Sequence, residues 1–153
     1  MDCKTVHDVQ VRNRCVLVRV DFNVPIADGR VTDDARILAA MPTLENLLAR
    51  SASVILCSHL GRPGGKHVPA LSLRPVALEL ERILGRRVKF VEDCVGEMAR
   101  GAAQRLQVGE LLQLENTRFH AGEKQNDPQM GRELANLADV FVNDAFGSAH
   151  RAH

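Results

Sequence analysis

VLVRVDFNVP, residues 16–25, is a nearly continuous apolar run that gives way to Asp21 and Asn23 and is closed by Pro25. The same layout returns in VILCSHLGRP (54–63), LLQLENTRFH (111–120) and VFVNDAFGSAHRAH (140–153). Runs of Val, Ile and Leu without alternation read as parallel strands covered on both faces. In an open parallel α/β sheet the carboxyl ends of the strands border a common crevice in which ligands bind. Residues at those ends converge although they lie far apart in the chain. Here they are Asp21, Asn23, His59, Arg62, Arg118, His150 and Arg151. Several guanidinium forks with imidazoles, one carboxylate and one amide suit a small, multiply anionic, hydroxylated molecule such as a phosphorylated hydroxy acid.

Helical patterns fill the gaps between strands expected near 15–20, 54–58, 88–91, 111–115 and 139–144. The first follows Thr32 and Asp33 with Ile37, Met41, Leu44 and Leu48 on one stripe, and Pro42 inside it predicts a kink or break. The second starts at Ser72 and stops at Gly85, with Val76, Leu80, Ile83 and Leu84 inward. A third carries Val95, Met98, Ala102 and Leu106. The last opens at Asp127 with Pro128 in its first position and buries Met130, Leu134 and Leu137. Such alternation predicts right-handed βαβ crossovers in one doubly wound, Rossmann-like parallel sheet of at least five strands, with helices on both faces.

With 153 residues, 45% of them hydrophobic, the chain is expected to bury one core and form one domain, 1–153. A net charge of +1 provides no global basic field, and with neither Trp nor Tyr there are few stacking platforms, so nucleic acid is not an expected partner. Cys3, Cys15, Cys57 and Cys94 are widely spaced and form no C-x-x-C pair, which suits buried thiols in the cytoplasm better than a disulfide framework. MDCKTVHDVQV at the start lacks the features of a secretory signal, and no run approaches a membrane span, so no membrane partner is expected.

Several motifs have plainer readings. GRPGGK (61–66) is rich in glycine, but a P-loop needs Gly where Leu60 stands and Ser or Thr where His67 stands, so only Arg62 is retained as a ligand candidate. His150 and His153 lack acidic or Cys neighbours in sequence, and no metal ligands are assigned. Arg86, Arg87 and Lys89 read as a solvated edge near a helix C-terminus. Asp21 as an aspartyl nucleophile of a phosphatase is disfavoured by Asn23 in place of a second acid and by the surrounding arginines.

Taken together, VDFNVP (20–25), SHLGRP (58–63), ENTRFH (115–120) and VNDAFGSAHRAH (142–153) resemble the N-terminal domain of the phosphoglycerate kinase family, in the right order and over essentially the whole chain. The resemblance implies reversible phosphoryl transfer between 1,3-bisphosphoglycerate and ADP, giving 3-phosphoglycerate and ATP, in a monomeric glycolytic enzyme. By motif, Asp21 and Asn23 would contact the hydroxyl and carboxylate end of the glycerate. His59, Arg62, Arg118 and Arg151, with His150 in support, would grip the phosphate that is not transferred. Arg36, in TDDARI (32–37), would reach toward the transferring phosphoryl group as the catalytic residue. The resemblance also implies that Mg-ATP or Mg-ADP is held by a C-terminal nucleotide domain lying beyond His153, so no residue here is assigned to that cofactor and the chain alone is expected to be inactive. Thr117, where the family often has an aliphatic residue, is a minor departure. The alternative reading is a non-catalytic module that binds small anions.

Overall fold

The apolar runs pair side by side because each can hide its two faces only between layers of helix. The computed structural model describes residues 4–5, 10–121, 128–144 and 151–152. In chain order its elements are β1 (Lys4–Thr5), β2 (Cys15–Val20), a hairpin of β3 (Ile26–Ala27) and β4 (Arg30–Val31), α1 (Ala35–Ala49), β5 (Ser53–Cys57), α2 (Arg74–Leu84), β6 (Val88–Val91), α3 (Gly96–Gln104), β7 (Leu111–Leu114), α4 (Pro128–Ala135), β8 (Val140–Asp144) and β9 (Arg151–Ala152). The main sheet runs β1-β9-β8-β2-β5-β7-β6. From β8 to β6 the strands are parallel, and β9 and β1 extend the sheet antiparallel at the β8 edge. The expected doubly wound parallel core is thus present, and the antiparallel extension was not anticipated.

The order of the strands determines where the helices lie. The connections β2 to β5 and β5 to β6 step one way across the sheet, whereas β6 to β7 and β7 to β8 step back. A right-handed crossover that reverses direction must change faces. Accordingly, Ile37, Met41, Leu44 and Leu47 of α1 and Val76 and Leu80 of α2 pack on one face with Val16, Val18, Val54 and Leu56. Ala99 of α3 and Met130 of α4 pack on the other with Leu17, Ile55, Leu112 and Leu114. Loops leaving β5 and β7, neighbours in the sheet, therefore diverge to opposite faces. That divergence opens the ligand crevice of such a sheet.

Several local expectations need correction. Pro42 does not end α1, which runs through it to Ala49. Pro42 is exposed, as is Leu38 one turn earlier, so the carbonyl deprived of its amide partner lies on the solvent side. Leu47 occupies the core position expected of Leu48, which is half-buried. Helix α2 begins at Arg74 rather than Ser72, whose hydroxyl accepts from the Arg74 N–H at 3.2 Å, and Gly85 ends it in the left-handed region at φ 68°. Met98 is 54% exposed instead of packed inward, because α3 is short and turns only Ala99 fully into the sheet. Asp127, the proposed start of the last helix, lies outside the described residues, while Pro128 does open α4.

Cys57 and Cys94 are buried and Cys15 is half-buried, and none of the three is in a disulfide. Burial pushes the Cys94 thiol far above the usual range, reinforced by the nearby carboxylate of Asp93, so it is protonated at neutral pH.

Leu56 is fully buried at the centre of the sheet, and Leu78 on α2 is 61% exposed. Leu56→Ala should lower stability by about 2–5 kcal/mol, whereas Leu78→Ala should stay within about 0.5 kcal/mol. Urea unfolding midpoints decide this, and equal shifts for the two variants would contradict the layer assignment.

Candidate functional site

Loops that follow β2, β5 and β7 are laced together by side-chain bonds to backbone, and this lacing positions the candidate ligands. The Ser58 hydroxyl accepts from the Phe22 N–H at 3.0 Å and donates to the His59 carbonyl at 3.0 Å. The Ser58 carbonyl in turn accepts from the Thr117 N–H at 3.0 Å and the Thr117 hydroxyl at 3.2 Å. Asn116, fully buried, is the hub of the lacing. Its Oδ1 accepts from the N–H groups of Leu60 (3.2 Å) and Arg118 (3.0 Å), and its Nδ2 donates to the carbonyls of Leu60 (2.8 Å) and Leu71 (2.9 Å). A carboxamide has two donor protons and two acceptor lone pairs, so its capacity is filled.

The next peptide unit, Gly61, joins the two halves of the site. Its N–H donates to Asn23 Oδ1 at 2.9 Å, and its carbonyl accepts from Arg118 Nη1 at 3.3 Å. Gly61 has φ 62°, a left-handed conformation that favours glycine, and a Cβ there would lie 2.9 Å from Leu71 Cδ2, so the end of that side chain would have to shift. On the Asn23 side, Arg36 Nη1 donates to the Asn23 carbonyl at 2.7 Å and to Asp21 Oδ1 at 3.2 Å. Asp21 Oδ1 also accepts from the Asn23 N–H at 3.2 Å, forming a local Asx turn. The plain turn reading of this segment is thus observed, with Arg36 held against it. An Asp21 engaged by Arg36 and by its own turn is poorly placed to act as a nucleophile.

Beyond Gly61, a cleft of about 370 Å³ is lined by Arg62, Gly64, Gly65 and Arg118. It sits where the β5 and β7 loops part, the point that the topology marks for a ligand. The Gly65 N–H donates to the Arg118 carbonyl at 3.2 Å, and a Cβ on Gly65 would come within 3.1 Å of the Ala121 backbone. GRPGGK is thus a loop tied to its neighbour, in keeping with its failure as a P-loop. Glu115, 3% exposed, contributes its charge elsewhere. Its carboxylate accepts from the Leu73 N–H (2.8 Å) and the Ser72 hydroxyl (2.6 Å) at the amino end of α2, where the helix dipole favours an anion.

Asp21, Asn23, Arg36, Arg62 and Arg118 are therefore brought to one rim, and His59 lies half-buried in the same loop. His150 lies outside the described residues. Arg151 is described as backbone of β9, in register with Asn143 of β8, which pairs with Arg19 of β2. Sequence reasoning did not single out Ser58, Gly61, Glu115 or Asn116, whose bonds run between side chains and backbone of different loops. A second cleft of about 410 Å³ lies at the β6 edge, and there Arg74 pairs with Glu92 and Lys89 with Glu110. It shares no lining residue with the cleft at Arg62 and Arg118.

The family model described as phosphoglycerate kinase matches residues 6–153. The chain belongs to the phosphoglycerate kinase family. Phosphoglycerate kinase of Moorella thermoacetica is 60% identical over 149 residues, covering 97% of this chain and 38% of that protein. That of Chloroherpeton thalassium is 51% identical over 153 residues, again with 38% of its length covered. Among solved structures, phosphoglycerate kinase from Coxiella burnetii superposes with a TM-score of 0.84 at 35% identity, over 98% of this chain and 37% of that one. The chain thus spans about 38% of the length of the curated relatives it matches.

Asn116→Ala removes both acceptor and donor atoms and leaves buried backbone groups of Leu60 and Leu71 unpaired. An expected loss of at least roughly 3 kcal/mol follows from several such groups at about 1–3 kcal/mol each. Denaturant unfolding, compared with the exposed control Leu78→Ala, measures it; a loss below 1 kcal/mol would show that the loops hold without this hub.

Proposed function

We propose that this chain is the glycerate-holding part of a phosphoglycerate kinase, which transfers a phosphoryl group reversibly between 1,3-bisphosphoglycerate and ADP. The observation that carries the reading is continuity. The Gly61 N–H donates to Asn23 and its carbonyl accepts from Arg118, and this link supports reading the Asp21–Asn23–Arg36 group and the Arg62–Arg118 cleft as one site. A ligand with a phosphate at one end and a reacting carboxyl end at the other matches that division.

In this reading Arg62 and Arg118, with His59 and with His150 and Arg151 from the last motif, hold the phosphate that stays. Asp21 and Asn23 orient the hydroxyl and carboxylate end, and Arg36 meets the charge of the group that moves. No nucleophile of the protein is required, because phosphoryl transfer needs alignment and charge neutralisation above all. Mg-ATP or Mg-ADP would supply the phosphoryl donor or acceptor, and no residue of this chain is assigned to it. The nucleotide would be held by the part of the relatives' length that this chain does not span. The same reading expects a cytoplasmic monomer; among the described residues no helix is long and apolar enough to cross a membrane.

Calorimetric titration tests substrate binding directly. The chain alone should bind 3-phosphoglycerate with a Kd in roughly the micromolar to millimolar range, weakened by salt, since one side of the ligand stays solvated. A folded sample with no measurable binding would overturn the proposal. It should show no nucleotide-dependent turnover by itself, because transfer needs the nucleotide brought in line. Turnover by the purified chain alone would contradict that division.

Kinetics of the chain joined to its nucleotide domain separate the roles. Arg62→Ala or Arg118→Ala removes a contact equal in ground and transition states and should mainly raise KM. Arg36→Ala removes a contact to redistributing charge and should lower kcat by roughly 10² to 10³. A KM effect alone for Arg36→Ala, with kcat lost in Arg118→Ala, would reverse the assignment.

A further inference from the structure

Asp93 and Cys94 follow β6, and His120 follows the short turn after β7. Those strands are parallel neighbours with Val91 opposite Leu114, so the residues after their carboxyl ends meet although 26 positions separate Cys94 from His120. One ligand atom from each of Asp93, Cys94 and His120 lies within 4.8 Å of the others. His120 Nε2 is 2.7 Å from Asp93 Oδ1. Asp93 Oδ1 also accepts from the Cys94 N–H at 2.7 Å, which anchors the carboxylate at the start of α3, while Oδ2 has no bond to a described residue. Cys94 is 1% exposed, and its sulfur has no hydrogen-bond partner among the described residues. Cys94 packs among the apolar side chains that cover this face of the sheet, which accounts for its burial; what neither packing nor the anion site accounts for is the meeting of its sulfur with the Asp93 carboxylate and, from a separate loop, the His120 imidazole.

We propose that Asp93, Cys94 and His120 form a binding site for one divalent metal ion of the zinc class, with the remaining position open to solvent. Thiolate, imidazole and carboxylate together select a borderline ion such as Zn²⁺ or Co²⁺ over the hard Mg²⁺ and Ca²⁺, which take oxygen donors. With metal–sulfur bonds near 2.3 Å and metal–nitrogen bonds near 2.0–2.1 Å, tetrahedral ligand atoms stand about 3.4–3.6 Å apart. Reaching that spacing requires the His120–Asp93 contact to open by under about 1 Å and the sulfur, within 4.8 Å of the other two ligand atoms, to approach by up to about 1.3 Å. Cys94 would bind as the thiolate, its proton passing to solvent. The ion would fasten the start of α3 to the loop that carries Arg118, two residues before His120.

Cobalt titration of the chelator-treated full chain, followed by absorption, tests this. The expected result is saturable binding of one Co²⁺ per chain with a thiolate-to-cobalt charge-transfer band, displaced by Zn²⁺. Cys94→Ser should abolish the band, and Cys3→Ser and Cys15→Ser should leave it. His120→Asn, at a partly exposed position tolerant of polar change, should weaken Zn²⁺ binding at least about tenfold, since even groups that only orient ligands are worth 10- to 100-fold. No band on the folded chain at millimolar Co²⁺, a band that survives Cys94→Ser, or unchanged Zn²⁺ affinity in His120→Asn would each overturn the proposal.

Discussion

Four hydrogen bonds from the Asn116 carboxamide reach the backbone of Leu60, Leu71 and Arg118, and they fix the path of two loops that otherwise have no reason to touch. In a buried site such a network is strong when complete, and each unpaired member is expensive when it is not. Because every donor and acceptor of Asn116 is used, the loops can neither slide nor separate without leaving buried polar groups bare. The turn at Gly61, the placement of Arg118 and the cleft beside Arg62 all follow from that constraint.

The surrounding charges are arranged so that the cleft keeps its positive character. Glu115, one residue from the hub, is turned away to the start of α2, where neutral donors and the helix dipole accommodate it. Asp21 is engaged by Arg36 on the far side of Gly61. The cleft between Arg62 and Arg118 is thereby built by topology, which parts the β5 and β7 loops, and by hydrogen bonds that hold backbone, with the arginines supplying charge. In the proposed reading this preorganisation would serve phosphoryl transfer, in which fixed dipoles and charges do most of the protein's work.

Much of this architecture is legible in the residue pattern. Val, Ile and Leu runs mark the five parallel strands within a residue or two, as their burial on both faces requires. Strand ends carrying Asp, Asn and Arg mark the rim. The shorter features escape for definite reasons. Strands β3 and β4 are two residues each, too short for any period, although Asp28 and Gly29 at φ 52° and 74° carry the Asp-Gly signature of a tight hairpin turn. Pro42 argues locally against a helix, but apolar burial along α1 outweighs it. Asn116 gives no local sign of its role, because its partner Leu60 is 56 residues away and Leu71 is 45 away. The Asp93–Cys94–His120 group is hidden likewise, since only strand pairing brings its members together.

In the proposed reading, anion recognition occurs where the β5 and β7 loops part. Two-dimensional NMR of the chain titrated with 3-phosphoglycerate, reading backbone amides and arginine Nε–H groups, addresses it most directly. The largest shifts should fall on Gly61, Gly64, Gly65, Arg62 and Arg118, with lesser ones at Asn23 and Arg36. Shifts concentrated on Arg74, Arg87 and Arg105 at the β6 edge, with the Gly61–Gly65 amides unmoved, would contradict it.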